Sequence, residues 1–126
     1  MLHIRFWRIL AIVVAAAIVV LSLLPDPPEI PGGFQFADKL AHLFAYLVLS
    51  FLVFASFFEG KRVGTALITV MIAAALCVVF GGLIEILQIF TGRQPELWDL
   101  AADLIGAVCG AFIGAGLLRR FSGKKV

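Results

Sequence analysis

The chain contains four apolar runs, and each is long enough to cross a lipid bilayer as a helix. A transmembrane helix needs about 20 residues, and the runs cover residues 6–24, 40–58, 65–90 and 98–118. Because 63% of the 126 residues are hydrophobic and only 14% are charged, a water-soluble domain of this size could not cover its apolar surface. The sequence therefore predicts an all-α fold, with residues 1–126 forming one integral membrane domain built as a four-transmembrane-helix bundle.

The basic residues predict which side of the membrane the two ends of the chain face. Lys and Arg are enriched in cytoplasmic segments, and with both termini in the cytoplasm only Lys39 and Arg93 lie outside. The other eight of the ten basic residues then lie inside: Arg5, Arg8, Lys61, Arg62, Arg119, Arg120, Lys124 and Lys125. We therefore expect cytoplasmic N- and C-termini.

Composition gives no indication of a nucleic-acid partner, a metal or a cofactor. The net charge is only +2, and no CxxC, HExxH or phosphate-binding Gly-Lys motif is present. Cys77 and Cys109 lie within apolar runs, where a free cysteine packs as a small hydrophobe. We therefore expect no nucleic-acid partner, no metal, no cofactor and no disulfide framework.

Nine polar or charged residues gather where these runs meet the outer face of the membrane. Ionisable groups in a bilayer are costly, so their placement is the best guide to a functional site. Spacings of three or four residues put those of each run on one helical face. We call these nine residues the polar cluster and predict that they bind a ligand. They are Asp38, Lys39, His42, Tyr46, Glu85, Gln88, Arg93, Asp99 and Asp103.

Simpler roles are also open to several members of the polar cluster. Asp38 suits the N-cap of the second helix. Asp99 suits the positive end of the fourth helix dipole, but this role explains Asp103 poorly, because the dipole effect fades after the first turn. Tyr46 suits a packing aromatic and His42 a hydrogen-bonded core histidine. Glu85 lies more than one turn inside the third run, so it must pair or take up a proton; its candidate partners are Lys39, His42 and Arg93.

Arg93 and five glycines complete the candidate positions. Arg93 is either a solvated loop charge or a fork-shaped donor that grips a carboxylate or phosphate. The glycines of the fourth run recur every four residues, which favours a seam of close helix packing and leaves a homo-oligomer as the alternative; they are Gly106, Gly110 and Gly114. The pair Gly81-Gly82 offers the third helix a place to bend.

Three segments resemble the VanZ-like family of small bacterial membrane proteins: DKLAHLFAY (38–46), IEILQIFTGR (84–93) and WDLAADLIGAVCG (98–110). The resemblance implies a multi-pass protein of the bacterial cytoplasmic membrane with a role in the cell envelope. The family is named after a member associated with low-level resistance to the glycopeptide teicoplanin, but the resemblance does not imply that this chain confers glycopeptide resistance. Asp103 stands where the family commonly has Asn, which makes a protonated Asp103 plausible.

These features favour an outward-facing polar pocket that binds a lipid or glycan-lipid headgroup, or a glycopeptide ligand. An enzyme at the same site is the first alternative, with His42 as general base, Glu85 or Asp103 as acid or orienting group, and Arg93 stabilising a phosphate or oxyanion. A metal held by His42 and nearby acids is a weaker variant, since no compact metal motif is present. A structural or partner subunit is the second alternative.

Overall fold

The computed structural model describes residues 2–25, 36–58 and 63–122. Within these ranges the fold is all-helical and contains no strand. The basic residues Lys61, Arg62, Lys124 and Lys125, on which part of the orientation argument rests, lie outside the described residues. The four helices are α1 (Leu2–Leu23), α2 (Ala37–Phe57), α3 (Val63–Phe90) and α4 (Leu97–Ser122).

All four helices are long and apolar enough to cross a membrane. The predicted runs are therefore confirmed as helices, although each helix begins one to four residues before its run. The earlier start of α2 changes the role of Asp38. Phe36 occupies the N-cap position without a side-chain cap hydrogen bond, and Asp38 lies in the first turn. The predicted N-cap role of Asp38 is wrong, because the helix begins before it.

Glycines bring α2 and α4 into backbone contact, and this is the largest contact in the bundle. A Cβ atom placed on Gly106 would collide with the carbonyl oxygen of Leu43, and one on Gly110 with that of Leu47. A Cβ on Gly114 would lie 2.9 Å from a ring carbon of an α2 phenylalanine. The glycine repeat is therefore a packing seam between two helices of the same chain, as the spacing of four favours.

Helix α1 lies at the periphery of the bundle. Ile18 is its single buried residue among those with described side chains, whereas α2, α3 and α4 each bury a whole face. Alanines on α1 leave space against α2 and α3, which opens a cavity of about 260 Å³. Its lining is apolar and consists of Ala11, Ile12, Ala15, Leu49, Val53, Leu76, Cys77 and Phe80. Cys77 is buried there, whereas Cys109 on α4 is exposed.

We expect Gly110→Ala to destabilise the bundle and Gly116→Ala to leave it as stable as the unmodified protein or slightly more stable. The new methyl group at Gly110 would meet the backbone of Leu47, and overpacking of this kind costs about 1–3 kcal/mol. Gly116 has no neighbouring atom within 4 Å, so only the gain in helix propensity of about 0.5–1 kcal/mol remains. Thermal unfolding of both purified variants in detergent measures the difference; equal melting temperatures would contradict the seam.

Candidate functional site

The polar cluster lies at one end of the bundle, where α1 and α3 end and α2 and α4 begin. Every one of its nine residues has a described position at or near that end. Five are buried within the chain: Tyr46, Glu85, Gln88, Asp99 and Asp103. Spacing along the sequence therefore identified residues that the fold does bring to one place, and the partners of each side chain decide what they can do there.

His42 and Asp103 form the central contact of the cluster. Nδ1 of His42 lies 2.9 Å from Oδ1 of Asp103, so the hydrogen bond joins α2 to α4. Asp103 is only 1% exposed. When Asp103 is ionised, its carboxylate only accepts hydrogen bonds, and the proton then lies on Nδ1. Nε2 then faces Asp99, whose Oδ2 lies 3.7 Å away. The contact holds the ring so that one nitrogen remains available for another partner.

Gly81 lets the second oxygen of Asp103 reach α3. A Cβ atom on Gly81 would lie 2.8 Å from Oδ2 of Asp103 and 3.3 Å from both the ring and the hydroxyl of Tyr46. The neighbouring Gly82 has no atom within 4 Å. Helix α3 runs without interruption through both positions. Gly81 therefore provides room for a buried acid and a buried tyrosine, and the bend suggested by the Gly81-Gly82 pair stays a prediction.

Lys39 is the cation that faces the acids at the mouth of the cluster. Its ammonium group forms an ion pair with Oε2 of Glu96, and it lies 3.2 Å from Oδ1 of Asp99. Glu96 is half exposed, whereas Asp99 is 5% exposed. Lys39 thus connects the first turn of α2 to the start of α4. Its ammonium group contacts two acids, the partly exposed Glu96 and the buried Asp99.

Glu85 is paired with the backbone. Its Oε2 accepts a hydrogen bond of 3.0 Å from the N–H of Glu96. Among the described residues it forms no ion pair with its expected partners Lys39, His42 and Arg93. Its other oxygen, Oε1, is buried and has no hydrogen-bond partner within the described part of the chain. Glu85 therefore ties α3 to the α3–α4 loop and keeps one buried acceptor free.

Arg93 and Gln88 both bind the end of α1. Both donate to the carbonyl oxygen of Ser22, Arg93 over 2.8 Å and Gln88 over 3.1 Å. The free carbonyl groups at the end of a helix attract such donors. The turn that places Arg93 uses Gly92, whose φ of +78° is favourable for glycine and unfavourable for other residues. Arg93 forms no ion pair with a described acid.

Three participants were absent from the predicted set. Glu96 pairs with Lys39 and donates its N–H to Glu85, yet in the sequence it looked like an ordinary helix-start residue. The carbonyl of Ser22 is a backbone acceptor and has no sequence signal. Gly81 carried one signal, a glycine within a transmembrane helix three to four residues from a charged position, because small residues admit close neighbours there.

The cluster has more acids than cations able to oppose them. With Glu96 included, the cluster holds five carboxylates, of which Glu96, Asp99 and Asp103 contact Lys39 or His42, while Arg93 is bound to α1. Such a site favours a cationic ligand, a metal ion or acid–base chemistry. One nitrogen or oxygen atom from each of Asp38, His42 and Asp99 lies within 4.8 Å of the others, which is close enough for one metal ion. Within the described part of the chain, these three residues are the ones that could hold a metal.

Comparison with known proteins identifies the family. The family model VanZ/LLP1 matches residues 2–119 of the 126. The chain belongs to the VanZ/LLP1 family. The matched range contains all nine residues of the polar cluster, and it covers the described parts of α1, α2 and α3 and nearly all of α4. No curated protein and no solved structure matches the chain. Family and fold together make this a multi-pass membrane protein of VanZ type.

We expect the two histidines of this VanZ-type protein to adopt opposite tautomers. The indole N–H of Trp7 donates to Nδ1 of His3 over 2.8 Å, so the proton of His3 must lie on Nε2. With Asp103 ionised, we expect the proton of His42 on Nδ1, where Asp103 accepts it. Nitrogen-15 chemical shifts of histidine-labelled protein, at a pH where both imidazoles are neutral, distinguish the two forms. Asp103→Asn should remove the Nδ1–H preference of His42 and leave His3 unchanged; identical tautomers in the unmodified protein would contradict the assignment.

Proposed function

We propose that this VanZ/LLP1 protein binds the headgroup of a lipid or glycan-lipid at the polar cluster, on the outer face of the bacterial cytoplasmic membrane. The observation that carries the proposal is the burial of five polar side chains from three helices at one end of an otherwise apolar bundle. Polar residues in membrane helices are costly and face the bundle interior where they serve a ligand or a pathway. A role in the cell envelope follows from such a ligand.

The described basic residues support an outward-facing cluster. Arg5 and Arg8 lie near the start of α1, and Arg119 and Arg120 lie in the last turn of α4. Both helix ends are at the opposite end of the bundle from the polar cluster. Because basic residues accumulate on the cytoplasmic side, this distribution favours cytoplasmic termini and an external polar cluster.

The apolar cavity beside α1 supports an amphipathic ligand. On α2, His42 belongs to the polar cluster and Leu49, seven residues later, lines the cavity. On α3, Gln88 and Phe80 are related in the same way, eight residues apart. At 1.5 Å per residue, the cavity begins about 11 Å below His42 and Gln88, and closer to the deeper cluster residues Tyr46 and Glu85. A lipid with its headgroup at the cluster therefore has an apolar cavity within reach of an acyl chain.

Lipid binding can be tested with two variants that alter the cavity and the cluster separately. Ala15→Phe fills the cavity from α1, whereas Ala17→Phe adds the same ring to the exposed side of that helix. We expect Ala15→Phe and His42→Gln to reduce binding of fluorescent phosphatidylglycerol and of a polyprenyl-phosphate at least tenfold. Ala17→Phe and His3→Gln should bind as the unmodified protein does.

Binding is measured on purified, folded protein in detergent, with the melting temperature of each variant as the control for folding. Equal binding by Ala15→Phe and Ala17→Phe, together with equal binding by His42→Gln and His3→Gln, would overturn the proposal. The link to glycopeptide resistance has a separate readout: teicoplanin susceptibility of cells that express the unmodified protein or His42→Gln.

Catalysis at the same site is a second candidate, and the His42–Asp103 hydrogen bond is the observation that favours it. A buried carboxylate that holds a histidine through Nδ1 leaves Nε2 in position to take a proton, as in hydrolytic triads. In this role His42 is the general base and Asp103 orients it. Release of product from a lipid-linked substrate by the purified protein, lost in His42→Gln, separates an enzyme from a binding protein.

The proposed orientation has its own test in cysteine labelling. In a background of Cys77→Ala and Cys109→Ala, we introduce Gln94→Cys in the α3–α4 loop or Phe121→Cys near the end of α4, both at exposed positions. A membrane-impermeant maleimide should label Gln94→Cys in intact spheroplasts and Phe121→Cys only after permeabilisation. The reverse pattern would place the polar cluster in the cytoplasm.

A further inference from the structure

We propose that Asp38, His42 and Asp99 hold one divalent metal ion, which in turn binds the oxygen atoms of the headgroup. The metal site is a property of the polar cluster in itself, while the role of the ion in binding a headgroup rests on the function proposed above. Asp38 and His42 lie four residues apart on α2, and Asp99 lies in the first turn of α4. One ligand atom of each lies within 4.8 Å of the other two.

The hydrogen bond to Asp103 prepares His42 as a metal ligand. Histidines that bind metals almost always donate their second ring N–H to a carboxylate or carbonyl, which fixes the ring and its tautomer. Here Nδ1 lies 2.9 Å from the buried carboxylate of Asp103. Nε2, the nitrogen that can coordinate a metal, faces Asp99. Asp103 is thus a positioning residue that orients the metal-binding histidine.

Asp99 is a buried carboxylate whose charge is compensated only in part. It is 5% exposed, and its cation partner among the described residues is Lys39, whose ammonium group lies 3.2 Å from Oδ1 and also pairs with Glu96. Its Oδ2 lies 3.7 Å from Nε2 of His42, a separation too long for a hydrogen bond. A buried carboxylate is costly unless its charge is fully compensated. The position of Asp99 beside Nε2 is where a bound metal ion would supply that compensation.

Lys39 competes with the metal and can be displaced without losing its own partner. Its ammonium group lies 3.2 Å from Asp99 and also pairs with Glu96. When a metal ion binds Asp99, Lys39 keeps the ion pair with Glu96, which is the more exposed of the two acids. Removing the lysine should therefore raise the metal affinity. If Lys39 only stabilised the fold, its removal would not strengthen metal binding.

The donor set indicates both the class of metal and the use of its open positions. One imidazole nitrogen and two carboxylates suit Zn²⁺ or Mn²⁺ better than Mg²⁺, which prefers oxygen ligands alone. Three protein ligands leave coordination positions for oxygen atoms of a ligand. This accounts for how an acid-rich cluster could bind an anionic headgroup while Arg93 is held at Ser22.

Metal binding is tested on the full chain, purified in detergent and treated with chelator, by titration with Zn²⁺ and with Mn²⁺. We expect one ion per chain and a loss of affinity of at least tenfold in Asp99→Asn and His42→Gln. Asp103→Asn should weaken binding about 10–100-fold, as loss of a carboxylate behind a ligating histidine does. Lys39→Gln should strengthen it, and His3→Gln should match the unmodified protein.

A second measurement needs no variant and so does not depend on variants that fold. Zn²⁺ added to histidine-labelled protein should shift the Nε2 resonance of His42 and leave that of His3 in place. Absence of stoichiometric binding, or equal shifts of both histidines, would overturn the metal site.

Lipid binding with and without chelator distinguishes this inference from the proposed function. If chelator abolishes the binding of phosphatidylglycerol, the ion is part of the headgroup site. If the protein binds the lipid equally well with chelator, the metal-mediated role is wrong and the proposed function stands. If the protein binds Zn²⁺ but neither lipid, the metal site stands and the proposed function fails.

Discussion

The backbone contact between α2 and α4 sets the positions of the groups at the polar end of the bundle. Gly106 lies against Leu43, the residue that follows His42, and Asp103 lies three residues before Gly106 on α4. The side chains of His42 and Asp103 are short, so they can form a hydrogen bond only where the backbones of α2 and α4 lie close together. The polar cluster therefore depends on the glycine seam: close packing of α2 against α4 brings His42 within hydrogen-bond distance of Asp103.

The charges at this end of the bundle follow the helix dipoles. Two helices begin there and two end there. Acids lie in the first turns of α2 and α4, near the positive ends of their dipoles: Asp38 and Asp99. The donors Gln88 and Arg93 lie at the C-terminal end of α1, where both bind the carbonyl oxygen of Ser22. The dipoles thus separate the acids from Arg93, and this sorting leaves an acid-rich region facing Lys39 and His42.

The sequence was sufficient to predict the helices and the residues that gather, but insufficient to predict their partners. Hydrophobic run length identified four helices, and spacings of three and four placed the polar residues on inward faces. Whether Arg93 meets an acid or a carbonyl depends on the turn at Gly92 and on where α1 ends, and neither is encoded near Arg93 in the sequence. The partner of Glu85 is a backbone N–H, which every residue but proline carries and which therefore leaves no signal.

The attachment of α1 has a consequence for how the cavity fills. Two hydrogen bonds fix the end of α1 at Ser22, while Ile18 is the one buried residue among the described side chains of this helix. Within a bilayer, exchanging contacts between helices for contacts with lipid tails costs little, because both environments are apolar. The hydrogen bonds described between α1 and the rest of the bundle are therefore concentrated at Ser22, while apolar contacts, such as the one between the rings of Trp7 and Phe51, hold the other end of the helix. In the proposed function, a lipid chain would occupy the cavity beside α1 and leave the α2–α4 seam in place.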